Sequence, residues 1–139
     1  MFTNLAIGIA LLFITSAVHA TTMLFARDLV KSHAGRVREE LKTFQMYHVL
    51  AIILLMFVAL FIEVYIWAFA YLSLGALQGM EQALYFSMVT FTTLGYGDVV
   101  LPSQWQLLSA IEATNGIIIF GWTTAIVIAV VQRVYFKHS

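Results

Sequence analysis

Thr92-Thr93-Leu94-Gly95-Tyr96-Gly97-Asp98 is the stretch on which the reading of this chain turns. Two glycines bracket an aromatic ring, and glycine takes positive φ angles at little steric cost, so the segment can run as a strained, extended strand with its carbonyls turned out of their usual pattern. Four copies of it meeting on a symmetry axis would aim rings of carbonyl oxygens inward, where they could replace the water around a desolvated cation. The flanks are apolar on both sides. An amphipathic segment from Ala83 to Phe91 leads into the stretch, and a long apolar run carrying Gly116 and Gly121 follows it.

Composition supports a membrane setting for these flanks. The 139 residues are 62% hydrophobic and 10% charged, and a soluble domain of this size would need far more polar surface. The chain is therefore read as an all-α integral membrane protein. Seven Lys and Arg balance seven Asp and Glu, so the total charge points to no nucleic-acid partner. Cysteine is absent, which excludes disulfides and thiolate metal sites. There is no Ser/His/Asp spacing, phosphate loop or metal cluster, so neither an enzyme activity nor a cofactor is expected.

Outward from the central stretch, three runs are long enough to cross a hydrocarbon core of about 30 Å. The first lies within residues 1–26 and carries His19 as its one ionisable side chain. A cleaved leader ending at Val18-His19-Ala20 is the competing reading. No basic residue precedes the apolar run, as a leader would require, and Arg27, Lys31, Arg36, Arg38 and Lys42 follow it. Those residues place the connection 27–43 in the cytoplasm and the N-terminus outside. That connection is read as a helical hairpin or a helix with a break near Gly35, with a merely solvated charged connection as the plainer and preferred alternative. The second span, 44–72, carries Tyr65, Trp67 and Tyr71 near its far end, rings suited to the headgroup level, with Tyr47 at the near end. A short exterior loop with Gly75 and Gly79 precedes a helix over 81–92, opened by Glu81, whose carboxylate suits the positive end of a helix dipole. The third span, 104–136, returns to the cytoplasm and ends near Arg133 and Lys137. Residues 44–139 thus form one unit, with the loop 93–97 held between two spans.

In these residues the chain resembles the pore-loop potassium channels of bacterial type, from about Phe44 onward, with an extra N-terminal helix. The resemblance implies a homotetramer in a lipid bilayer of the cell membrane. Its K⁺ ions would be bound by Thr93, Leu94, Gly95, Tyr96 and Gly97 in a selectivity filter, with no cofactor beyond the permeating ion. Thr92, Val89, Tyr85 and Asp98 would support the filter. Gly116 would serve as a gating hinge, with Gly121 as a second hinge or a small packing contact. The sequence departs from the family at Leu94, where Val or Ile is usual, at Val89, where some bacterial members carry Glu, and at Tyr85 and Phe86, where many carry tryptophan. The Tyr85 hydroxyl is the substitute donor to Asp98. A weakly selective cation channel and a non-conducting regulatory membrane subunit are the alternative readings.

Two carboxylates stand inside apolar runs. Glu63 and Glu112 each lie about nine residues from the exterior ends of their spans, roughly 13 Å deep at 1.5 Å per residue, and intramembrane acids normally mark function. At least one, by preference Glu112, is expected to be protonated and to donate a hydrogen bond supporting the filter or hinge. A purely structural acid bonded to Thr90 or Thr114 is the plainer alternative. His19 and His48 would fall at similar depths in antiparallel helices and could form a pH-sensing pair.

Overall fold

The computed structural model describes residues 1–34 and 42–135. Its helices are α1 (Phe2–Ala34), α2 (Lys42–Ser73), α3 (Met80–Phe91) and α4 (Gln106–Tyr135), with a 3-10 turn at Ser103–Trp105 leading into the last. Three stretches, Phe2–Asp28, Val49–Ser73 and Ser103–Gln132, are long and apolar enough to cross a membrane. The protein is an all-α membrane protein, with the short α3 and an irregular loop lying between the second and third of these spans.

α1 runs past residue 26, where the first span was expected to end, and takes Arg27 and Asp28 into the same helix. The reason is local: from Ile9 to Ala34 there is no glycine or proline to stop it. The start of the expected connection 27–43 is therefore helical. The break expected near Gly35, together with Arg36, Arg38, Glu39 and Glu40, lies outside the described residues, as does Lys137.

α2 ends in a motif its sequence dictates. Ala76 N–H donates to the Tyr71 carbonyl and Gly75 N–H to that of Leu72, while Gly75 sits at φ 64. This paired closure needs a left-handed residue after the helix, and glycine supplies it without a Cβ penalty. α3 starts after Gly79 at φ 113, carries Glu81 in its first turn and ends on Thr92.

α1 lies parallel to α4 and antiparallel to α2. Along the parallel pair, Asn4 donates to the Gln104 carbonyl, Gly8 backs onto Ile111, Asn115 donates to Thr15 and His19 meets Thr123. On the antiparallel side, Ala26 clusters with Ile52 and Met56. Trp67, Tyr71, Phe91, Leu108 and Ile119 are fully buried where α2, α3 and α4 converge. In lipid, apolar surface gains little by leaving its surroundings, so close packing and interhelical polar bonds hold such helices together.

The expected aromatic belt is only partly formed. Trp67 and Tyr71 are wholly buried, while Tyr65 and Tyr47 are exposed. Residues 63, 67 and 71 recur every fourth position and share one helix face, and that face turns toward the protein.

Candidate functional site

The loop after α3 is held by main-chain bonds to the helix it leaves. Thr92 N–H donates to the Met88 carbonyl and Thr93 N–H to that of Thr90. Leu94 and Gly95 both donate to the Val89 carbonyl, at 3.0 and 3.1 Å. Val89 therefore acts at the loop through its backbone. Positive φ falls on every second residue, at Thr93 (60°), Gly95 (56°) and Gly97 (77°). The glycines accept this freely, but a left-handed threonine costs about 1 to 2 kcal/mol, so the strain reaches one residue beyond the two glycines singled out by the sequence. Residues 92–98 are all exposed in the single chain, including the large side chains of Leu94 and Tyr96.

Asp98 closes the loop. The Tyr85 hydroxyl donates to its Oδ2 at 2.5 Å, and Val99 N–H donates to Oδ1 at 3.1 Å. The bond from Tyr85 holds the Asp98 carboxyl below its ordinary range, and the same bond raises the Tyr85 phenol. An open recess behind the loop is lined by Tyr85, Val89, Thr93, Asp98 and Ser109.

Beneath the loop lies a buried polar cluster. Glu112 Oε2 accepts from the Tyr71 hydroxyl at 2.5 Å, and Glu112 Oε1 lies 2.5 Å from Ser87 Oγ, which is also 3.0 Å from the Val64 carbonyl. One acid thus joins α2, α3 and α4. Its hydroxyl partners are Tyr71 and Ser87, where Thr90 or Thr114 was the expected kind of neighbour; Thr114 instead donates to the Ala110 carbonyl of its own helix. Four residues on, Gly116 presses against the end of α3 so closely that a Cβ there would collide with the Phe91 carbonyl. Around Gly121 a Cβ would meet nothing within 4 Å. α4 continues unbroken through both glycines.

Glu63 faces the other way, toward α1. Its Oε1 is 3.0 Å from His19 Nδ1, and His19 Nε2 is 3.2 Å from Thr123 Oγ1. Both members of the His19–Glu63 pair are fully buried. The expected pairing of His19 with His48 is not made, because both ring nitrogens of His19 are engaged elsewhere. Glu63, the residue opposite His19, stands about 22 Å along α2 from His48 at 1.5 Å per residue. The His48 side chain itself lies outside the described residues.

The sequence reading missed Ser87, Thr15, Thr123 and Asn115 as polar partners, as well as the bond from Tyr71. The His19–Glu63 pair had a usable signal: an ionisable group within an apolar span seeks a partner in another, and His19 is the one such group in the first run. Serine, threonine and asparagine gave none, because they satisfy themselves on their own helix as readily as across a gap.

Two long apolar helices holding between them a short helix and a strained, glycine-bearing loop define a membrane protein of the pore-loop channel class. Residues 53–133 match the model of a family described as "Ion channel", more than half of the chain, and the protein belongs to that family. The match spans α2 through α4 and leaves α1 outside it. No curated protein and no solved structure matches the chain.

Proposed function

We propose that this chain is one subunit of a homotetrameric, potassium-selective channel whose filter is Thr93-Leu94-Gly95-Tyr96-Gly97. The observation that carries the reading is the alternation of positive φ at Thr93, Gly95 and Gly97 in a loop wholly exposed in the single chain. A loop with one strained copy per chain and large uncovered side chains suits assembly about an axis. There, successive carbonyls of Thr93, Leu94, Gly95 and Tyr96, with the Thr93 hydroxyl, replace the hydration shell of K⁺, and repulsion between ions in adjacent sites keeps them moving.

In this reading the Val89 carbonyl and the Tyr85–Asp98 bond brace the two ends of the filter. Glu112 sets the depth of α3 through Ser87. The N-terminus lies outside and the C-terminal end of α4 in the cytoplasm. Bending of α4 opens the pore, and with Gly116 packed against Phe91 the freer hinge position is Gly121.

The test is ion flux from purified protein in liposomes, followed by bi-ionic reversal potentials. K⁺ and Rb⁺ passing far better than Na⁺ is the expected result. Comparable Na⁺ and K⁺ currents would replace this reading with a weakly selective channel, and no flux at all would leave a non-conducting membrane subunit.

A further inference from the structure

α1 lies outside the matched family region, yet it supplies His19 to the fully buried His19–Glu63 pair. Its polar contacts fall on both sides of the glycines in α4. Upstream, α4 is fixed three times within five residues: by Glu112 to Ser87 and Tyr71, by Asn115 to Thr15, and by the contact of Gly116 with Phe91. Then comes Gly121, exposed and with free space around it. Two residues beyond, Thr123 Oγ1 meets His19 Nε2 at 3.2 Å, and Trp122 lies against the same imidazole with ring centroids 5.4 Å apart.

The imidazole is anchored from its other side. Glu63 on α2 holds Nδ1 at 3.0 Å, which fixes the ring orientation and presents Nε2 to α4. Among the described residues, α4 places Thr123 and Trp122 against the ring, and Glu63 is the ionisable side chain bonded to it. Any swing of α4 beyond Gly121 carries Thr123 away from a partner that α2 keeps in place.

We propose that the His19–Thr123 contact is a latch by which α1 holds the C-terminal half of α4 in its unbent position. Glu63 is the positioning residue of that latch. The inference rests on the channel reading for the meaning of the movement, since bending of α4 is what opens the pore there. The latch itself is a statement about helix position and is testable without ion flow.

The chain has no cysteine, so spin labels can be placed uniquely. Leu54→Cys on α2 and Gln132→Cys on α4, both exposed positions, report the distance between the helices in liposomes by pulsed electron resonance, with labelled chain diluted in unlabelled chain. The parent should give one narrow distribution. Thr123→Val and His19→Asn, whose shorter amide reaches Glu63 but not Thr123, should each add a displaced component, raising the displaced-to-parent ratio by about two- to tenfold, the effect of one lost hydrogen bond. Thr123→Ser, which keeps the hydroxyl, should match the parent. The double variant should shift no further than the larger single variant, because both remove the same contact. A Thr123→Val distribution superimposable on the parent's overturns the latch, as does a double variant whose effect is the product of the two singles. Failure of ion flux in the parent overturns the channel reading and leaves the distances free to decide the latch.

Discussion

Ser87 Oγ lies 2.5 Å from Glu112 Oε1 and 3.0 Å from the Val64 carbonyl, so one hydroxyl in α3 meets acceptors on both flanking helices. A serine hydroxyl has a single hydrogen to give. If it goes to Val64, the contact with Glu112 needs a hydrogen from the acid, and the Tyr71 hydroxyl already donates to the acid's other oxygen. A protonated Glu112 completes every bond in the cluster.

Glu112→Gln therefore keeps the whole pattern, with the amide N–H donating to Ser87 and the amide oxygen accepting from Tyr71. It should fold and conduct close to the parent. Glu112→Ala strands the buried Tyr71 hydroxyl and should destabilise the protein by about 1 to 3 kcal/mol. Thermal unfolding in detergent, read by circular dichroism, compares the two. If Gln does as much damage as Ala, the charged acid is what the site uses.

Gly116→Ala should be far more harmful than Gly121→Ala. At 116 the new methyl meets the Phe91 carbonyl and must push α4 off α3, an overpacking that typically costs about 1 to 3 kcal/mol. At 121 there is room, and alanine improves helix propensity by up to about 1 kcal/mol, so the fold should hold while bending becomes harder. Unfolding midpoints give the first comparison and single-channel open probability the second. Equal stability of the two variants would contradict the close contact at Gly116.

Gly95→Ala separates backbone strain from crowding. Nothing lies within 4 Å of the position a Cβ would take, and φ there is 56°. The cost is thus conformational, about 1 to 2 kcal/mol per copy, and it falls on the loop alone. The variant should reach the membrane and unfold near the parent temperature while losing ion flux. Flux at the parent level would remove Gly95 from the conduction path.

The Tyr85–Asp98 bond sets an acid limit. A carboxyl held below its ordinary range stays charged, and keeps its donor, at pH above its unfolded value; the bond is lost only as pH falls through the lowered one. Current decay during sustained opening should therefore be steady from about pH 8 to pH 5, above the ordinary carboxylate range. Tyr85→Phe removes the largest lowering cause, so the acid-induced change in decay should move to higher pH. An unshifted pH profile would mean that Asp98 is held by another group.

The spans, the short helix and the loop were legible in the sequence because each rests on local information: run length, a carboxylate in a first turn, glycines at left-handed positions. What depends on helix rotation and register was not. Trp67 and Tyr71 read as interfacial rings, but their direction follows the face shared with Glu63, and only packing decides which way that face turns. The partner of His19 was misplaced for the same reason, since the register of two antiparallel apolar helices is fixed by contacts such as Ala26 with Ile52 and Met56. Gly116 read as a flexible point, and its tight contact with Phe91 became visible only once α3 and α4 were brought together.

The parallel pairing of α1 with α4 also imposes an order of events during synthesis. His19 and Thr123 are separated by 104 residues, which a ribosome adding about 5 to 20 residues per second covers in roughly 5 to 20 s. Glu63 emerges well before that, only 44 residues behind His19, so the buried His19–Glu63 bond can close while α4 is still unmade. The first helical hairpin then enters the bilayer with the His19 ring already bonded to a partner. The polar contacts that α1 reserves for α4 wait until α4 is made, which makes docking of α4 the step that commits the newborn helices to their finished packing.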